Sequence, residues 1–180
     1  MHLTTPLAFL ATSAITTSSA APSMGFIGCS TAENFAQGYV AVGGSRMWGP
    51  YGTNGMVFDQ QVTKYGKPSV IWVQICISTQ DATYDEVKQL VANARQHAAG
   101  NATIYITGRP LYEAGQTCQL AGPKGPESTD AWAKRAEDDK LLSVIYPGSF
   151  LLKKEEVQDG CHVNTAGQQS LGKQALSFWG

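Results

Sequence analysis

The chain has 180 residues, of which 43% are hydrophobic and 15% are charged, and its formal net charge at pH 7 is −1. A chain of this length can bury roughly two-thirds of its unfolded surface, which favours one globular domain and excludes a disordered protein. The balanced charge, with a sequence pI near 6.3, lacks the basic surface that nucleic acids or anionic membranes usually require. We therefore expect neither as a partner.

Residues 1–20 have the features of a secretory signal peptide. A short apolar stretch over 7–15 is followed by small polar residues, and Ser18 and Ala20 stand at the −3 and −1 positions of a cleavage site after Ala20. The stretch is much shorter than the twenty or so apolar residues of a transmembrane helix. We therefore predict that residues 21–180 form the single mature domain of a secreted, extracellular protein.

Five short apolar segments of the mature chain predict β-strands. Each is rich in β-branched or aromatic residues, or ends at glycine, which is typical of buried strands. The segments are residues 24–28, 39–42, 70–77, 103–107 and 144–146.

Segments with helical spacing lie between these strands. Thr83 and Glu86 form a capping box ahead of a helix that runs to about residue 99, in which His97 is predicted to be exposed. Alternation of strands and helices is typical of parallel pairing, so we predict a three-layer α/β/α fold with a doubly wound, mostly parallel five-stranded sheet. The other predicted helices are residues 58–65, 130–142 and 165–179.

The strongest chemical motif is an acid and a histidine, Asp159 and His162, just before the last helix. A carboxylate three residues before an imidazole can hold the ring in one tautomer while the other ring nitrogen faces a nucleophile. A structural alternative is that His162 only caps the last helix. The catalytic interpretation requires a nucleophile elsewhere in the chain.

Ser30 is the candidate nucleophile, because it follows the first strand at a predicted helix start. Ser30 and Glu33 also fit a capping box, and the two roles are compatible. Reactive groups of parallel sheets gather beyond the carboxyl ends of the strands. Ser30 follows the first strand, whereas Asp159 and His162 follow the fifth. We therefore expect Ser30 Oγ within about 3–4 Å of the His162 ring, with Asp159 on its far side.

These motifs resemble the SGNH (GDSL-like) hydrolases, which are lipases and esterases with a flavodoxin-like fold. The resemblance implies that Ser30 is the nucleophile, that His162 is the general base and then acid, and that Asp159 orients it. It covers most of the mature chain and rests on Gly28-Cys29-Ser30, on Gly43-Gly44, and on Asp159-Gly160-Cys161-His162 followed by Asn164 and Gly167.

The resemblance also implies an oxyanion hole built from the Ser30 amide, a glycine amide at Gly44 or Gly43, and an asparagine after the third strand. The chain departs from this pattern, because residues 70–77 contain no asparagine, and Cys29 stands where the family has an aspartate. Asn54 and Gln74 each carry an amide N–H that can face an oxyanion, and both are candidates for the missing donor.

Four cysteines in a secreted chain indicate disulfides. We predict a Cys118–Cys161 bond, which would hold the loop that carries His162. Cys29 and Cys76 fall near the ends of neighbouring strands and could form a second bond or remain buried thiols. A zinc site at Cys161 and His162 lacks the second ligand pair that such sites need. We expect no metal and no cofactor.

The sequence therefore predicts a monomeric serine ester hydrolase, acting on a small-molecule or polysaccharide ester. The resemblance favours acetyl esters of carbohydrate, and aromatic side chains in residues 46–51 could form a sugar platform. Asn101 begins a glycosylation sequon. The alternative is a carbohydrate-binding relative that has lost catalysis, since the asparagine of the oxyanion hole is missing.

Overall fold

A computed structural model describes residues 24–45, 47–49, 62–76, 83–114, 116, 118, 121–122 and 124–179. The predicted signal peptide lies outside these residues. Within them, no helix is both long enough and apolar enough to cross a bilayer.

Four parallel strands form the central sheet, in the spatial order β2-β1-β3-β4. Ile145 makes a single parallel bridge to Tyr105 of β4, so the fifth predicted segment lies at the edge beyond β4. A separate parallel pair, β5 with β6, was not predicted. The strands are β1 Met24–Ile27, β2 Met47–Trp48, β3 Val70–Gln74, β4 Thr103–Thr107, β5 Leu111–Tyr112 and β6 Leu151–Leu152.

Within the described part of the chain, four long helices flank the sheet. The predicted capping box starts the second of them, where the Glu86 carboxylate accepts a 2.6 Å hydrogen bond from the Thr83 amide. A helical turn at residues 62–65 falls within the short helix predicted there. The helices are α1 Ser30–Ala41, α2 Tyr84–His97, α3 Gly125–Asp138 and α4 Thr165–Trp179, with a 3-10 turn at Lys154–Glu156.

The two faces of the sheet carry separate cores. Ile71 and Val73 of β3 pack against α2 and α3, whereas Trp72 between them packs against Phe35 of α1 and Leu171 of α4. Side chains alternate between the faces of a strand, so one β3 segment serves both cores. The chain is therefore a three-layer α/β/α domain, and its strand order is the flavodoxin-like one. The predicted fold class is confirmed.

Several predicted boundaries were wrong. Residues 39–42 are not a strand, because α1 continues to Ala41 with Val42 as its C-cap, and it buries Tyr39 beside Phe35, one helical turn earlier. A run of four apolar residues does not by itself separate helix from strand. The second strand is instead β2, α3 begins five residues earlier than predicted, and the fifth strand pairs through only one bridge.

Candidate active site

Ser30 is the first residue of α1, directly beyond the carboxyl end of β1. Gly28 lies between β1 and α1, and a Cβ atom there would overlap that of Ala32 in the first turn of the helix. The first amides of a helix have no intrahelical acceptor, and they carry the positive end of its dipole. Ser30 therefore lies beside donors that can stabilise negative charge.

The Asp159 carboxylate holds His162 at both its backbone and its ring. Asp159 Oδ1 accepts hydrogen bonds from the amides of His162, at 2.6 Å, and Cys161, at 3.1 Å, while Oδ2 lies 2.7 Å from His162 Nδ1. The His162 amide is the main reason that the pKa of Asp159 lies below its ordinary value. A charged Asp159 favours the tautomer with its proton on Nδ1, which leaves Nε2 as an acceptor.

Ser30 Oγ lies 2.8 Å from His162 Nε2, although 132 positions separate the two residues. Together with the Asp159 contact, this makes a continuous chain from carboxylate through imidazole to hydroxyl, the arrangement of a serine-hydrolase relay. The structure brings together the three residues that the sequence singled out. The loops after β1 and Ile145 meet at the carboxyl edge of the sheet.

Asn164 and Gly167 lie at the start of α4, the helix that follows His162. Asn164 Oδ1 accepts a 3.0 Å hydrogen bond from the Gly167 amide at the start of α4, and Asn164 Nδ2 donates to the Glu155 carbonyl. A Cβ atom at Gly167 would overlap the carbonyl oxygen of Glu156. These two residues therefore hold the His162 loop on α4 and are not part of the relay.

A disulfide cysteine directly precedes each partner of the Ser30–His162 pair. The predicted Cys118–Cys161 bond is present, and a second bond joins Cys29 to Cys76, which settles the open question about those cysteines. Ser30 and His162 are thus each one residue from a covalent crosslink between loops.

A small cluster, unforeseen from the sequence, lies behind the His162 loop. Tyr112 donates a 2.7 Å hydrogen bond to the Cys161 carbonyl, and burial raises the pKa of Tyr112 to about 12. Arg109 is 6% exposed, its Nη1 lies 3.3 Å from Cys118 Sγ, and burial lowers its pKa. Only the position of Arg109 just after a strand, in Gly108-Arg109-Pro110, hinted at such a role.

The prediction of Gly43 and Gly44 for the oxyanion hole was wrong. Their amides donate to the carbonyls of Val40 and Tyr39 at the carboxyl end of α1. That helix has 12 residues, so these glycines lie roughly 18 Å along its axis from Ser30. The glycine that follows β2 is Gly49.

Gln74, the last residue of β3, lies beside the turn that carries Ser30. Its side chain is fully buried, and its Oε1 accepts a 2.9 Å hydrogen bond from Thr31, the residue after Ser30. Among the described residues, Gln74 Nε2 has no acceptor. Asn54, the other candidate donor, lies outside the described residues.

Three further predictions can be compared with the structure. Trp48 is buried in β2 and its ring lies 5.4 Å from that of Tyr65, so Trp48 is not an exposed sugar platform; residues 46, 50 and 51 lie outside the described residues. His97 is buried, not exposed, because it ends the inward face of α2. Asn101 is exposed in the turn after α2, and its glycosylation stays a prediction.

Over the part of the chain described, no group of three or more His, Cys, Asp or Glu side chains is arranged to hold a metal.

No protein-family model matches the sequence, and no curated protein matches it either. Among solved structures, the chain is similar to a protein provisionally described as a platelet activating factor from Streptococcus pneumonia, with a TM-score of 0.63 and 21% identity, covering 92% of this chain and 87% of that one. It is also similar to a protein from Slackia heliotrinireducens, provisionally described as an SGNH hydrolase, with a TM-score of 0.56 and 17% identity, covering 89% of this chain and 100% of that one.

Proposed function

We propose that this chain, which has an SGNH hydrolase-like fold, is a serine ester hydrolase with Ser30 as nucleophile. The observation that carries the proposal is the hydrogen-bonded chain from Asp159 through His162 to Ser30. Such a chain lets the imidazole remove the hydroxyl proton as the oxygen attacks a carbonyl carbon.

The reaction balances in two half-reactions. His162 takes the Ser30 proton, the ester carbonyl becomes a tetrahedral oxyanion, and His162 returns the proton to the departing alcohol, which leaves an acyl group on Ser30. Water then attacks the acyl group with His162 again as base, His162 returns that proton to Ser30 Oγ, and the carboxylic acid leaves. Asp159 keeps its negative charge throughout and stabilises the imidazolium that forms at each step.

The oxyanion requires donors, and two groups on the described part of the chain are suited to supply them. One is the Ser30 amide at the start of α1, and the other is the buried Nε2 of Gln74. Removing one such donor typically lowers kcat by roughly 10²–10³. We therefore expect Gln74→Met, which keeps the volume and removes the amide, to lower kcat by roughly that amount.

We propose acetyl esters of carbohydrate as the substrates and the extracellular space as the location. The substrate proposal rests on the resemblance to secreted esterases of this kind. Two disulfides support the location, since such bonds persist mainly in oxidising compartments. Release of acetate from acetylated xylan, compared with hydrolysis of longer-chain nitrophenyl esters, tests this specificity.

Hydrolysis of p-nitrophenyl acetate by the purified mature domain tests the proposed chemistry. Ser30→Ala and His162→Ala should each abolish activity to a similar degree, because members of a relay fail as a unit, and Asp159→Asn should leave a larger remnant. Ser177→Ala, an exposed serine near the other end of α4, is the matched control and should keep full activity. Full activity in Ser30→Ala would refute the proposal.

One observation favours a second candidate, a carbohydrate-binding protein without turnover. The segment after β3 carries no asparagine, and Cys76 in it is bonded to Cys29. A wild-type protein that binds acetylated oligosaccharides but neither hydrolyses esters nor reacts with a fluorophosphonate at Ser30 would favour this candidate.

A further inference from the structure

The two ends of the Gln74 amide have different surroundings. Oε1 accepts a 2.9 Å hydrogen bond from the Thr31 hydroxyl and lies 3.4 Å from Cys29 Sγ and 3.7 Å from Cys76 Sγ. Nε2 is buried and has no acceptor among the described residues. Buried donors are normally paired, so an unpaired amide beside a nucleophile requires an explanation.

A primary amide has nearly the same shape in its two orientations, and its neighbours select between them. The Cys29 and Cys76 sulfurs belong to a disulfide and carry no hydrogen, so only Thr31 can donate to Oε1. Thr31 is itself buried, and its hydroxyl also lies 3.0 Å from Cys29 Sγ, but sulfur is a weak acceptor and Oε1 is the stronger one. The Thr31 hydrogen bond therefore favours the orientation in which Oε1 faces the disulfide.

Turning the amide over would have a chemical consequence. The carbonyl dipole would then point where the N–H groups now point, and a negatively charged oxygen there would be repelled instead of bound. Two of the contacts of Gln74 Oε1 are with Cys29 and Thr31, the two neighbours of Ser30 in the chain. The orientation of this amide is therefore set within the turn that carries the nucleophile.

We infer that Thr31 is a positioning residue, which acts by holding the Gln74 amide with Nε2 directed toward the oxyanion. The inference rests on the proposed hydrolase function. It assigns a role to the hydroxyl that follows the proposed nucleophile, and it explains why a buried amide donor has no acceptor among the described residues.

A double-mutant cycle tests the inference. Thr31→Val keeps the shape of the side chain but removes the donor, and we expect kcat for p-nitrophenyl acetate to fall about tenfold with little change in KM, within the loss expected for one oxyanion donor. Thr31→Ser, which keeps the hydroxyl, should restore kcat to within about twofold of wild type. In a Gln74→Met background, Thr31→Val should have no further effect, because coupled residues are not additive.

A purely structural role for Thr31 gives a different pattern. If Thr31→Val lowers kcat equally with Gln74 and with Met at position 74, or if Thr31→Ser fails to restore kcat, the inference is overturned while the hydrolase proposal stands. A wild-type protein without esterase activity overturns both.

A second measurement needs no variant at position 31. In wild-type protein carrying a phosphonate on Ser30, the side-chain amide protons of Gln74 should shift downfield in NMR spectra, because Nε2 then donates to the phosphonate oxygen. Unshifted resonances in a fully labelled adduct would overturn the inference.

Discussion

Gly172 of α4 packs directly on Gly38 of α1, so closely that a Cβ atom at Gly172 would overlap the Gly38 carbonyl oxygen. A Cβ atom at Gly38 would in turn overlap the backbone of Gln168. These glycines let the helix that begins at Ser30 lie against the helix that follows His162. The distance between the proposed nucleophile and base therefore depends on a glycine contact far from both.

We predict that Gly172→Ala separates these helices. The added methyl group has no space, so the free energy of unfolding should fall by about 1–3 kcal/mol and kcat should fall more than KM changes. Chemical denaturation and ester hydrolysis measure the two effects. Gly100→Ala is the control, since a Cβ atom there would meet nothing within 4 Å. Equal behaviour of the two variants would contradict the prediction.

Asp159 should make a pH-dependent contribution to stability. Its folded-state pKa lies below the ordinary 3.8, mainly because the His162 amide donates to the carboxylate. A carboxylate whose pKa is lower in the folded state contributes stability above the pKa that it has in the unfolded chain. That stability is lost as the pH falls through the folded-state pKa. The difference in unfolding free energy between wild type and Asp159→Asn should therefore shrink below about pH 4. A difference that is constant from about pH 5 to 3 would argue against this contribution.

The Cys118–Cys161 bond should stabilise the fold and the His162 loop together. It joins residues 43 positions apart, for which loop entropy predicts a loss of about 4 kcal/mol in the Cys118→Ala/Cys161→Ala variant. We also expect a lower kcat under conditions in which this variant stays folded. Urea unfolding and initial-rate kinetics on one sample test both effects. A loss under about 1 kcal/mol would show that other contacts hold the loop.

Arg109 should not contribute to stability through its charge. The guanidinium is buried, and its Nε has no acceptor among the described residues. Replacing a buried charged group by an apolar one of similar length is often neutral or favourable. Arg109→Met should therefore leave the unfolding free energy unchanged or raise it by about 1–2 kcal/mol. A fall of more than about 3 kcal/mol would mean that the charge is well paired in the folded protein.

Local patterns predicted much of this molecule from the sequence. The helix over 165–179 follows from its spacing of apolar residues, and the capping box at Thr83 from two residues three apart. Asp159 and His162 are also three apart, so their contact needs only one turn of the chain. Features of this kind can be predicted from the sequence because all the interacting groups lie within a few residues of one another.

Other predictions depended on which surface became buried. Residues 39–42 are apolar enough for a strand, and only the packing of Tyr39 in the core beside α4 shows that they end a helix. Because the segment is helical, Gly43 and Gly44 lie at the carboxyl end of α1, whereas the prediction had placed them after a strand. The sequence identified two consecutive glycines after an apolar segment but could not indicate their distance from Ser30.

Contacts between distant segments were settled only by the tertiary structure. The 2.8 Å contact of Ser30 with His162, the Cys29–Cys76 bond and the direction of the Gln74 amide join residues 132, 47 and 43 positions apart. Each depends on the strand order and on two helices packing through glycines. The sequence predicted the Ser30–His162 contact only through the fold that it assumed. Local spacing by itself does not determine such contacts, because the interactions that stabilise them exist only once the sheet and its two cores have formed.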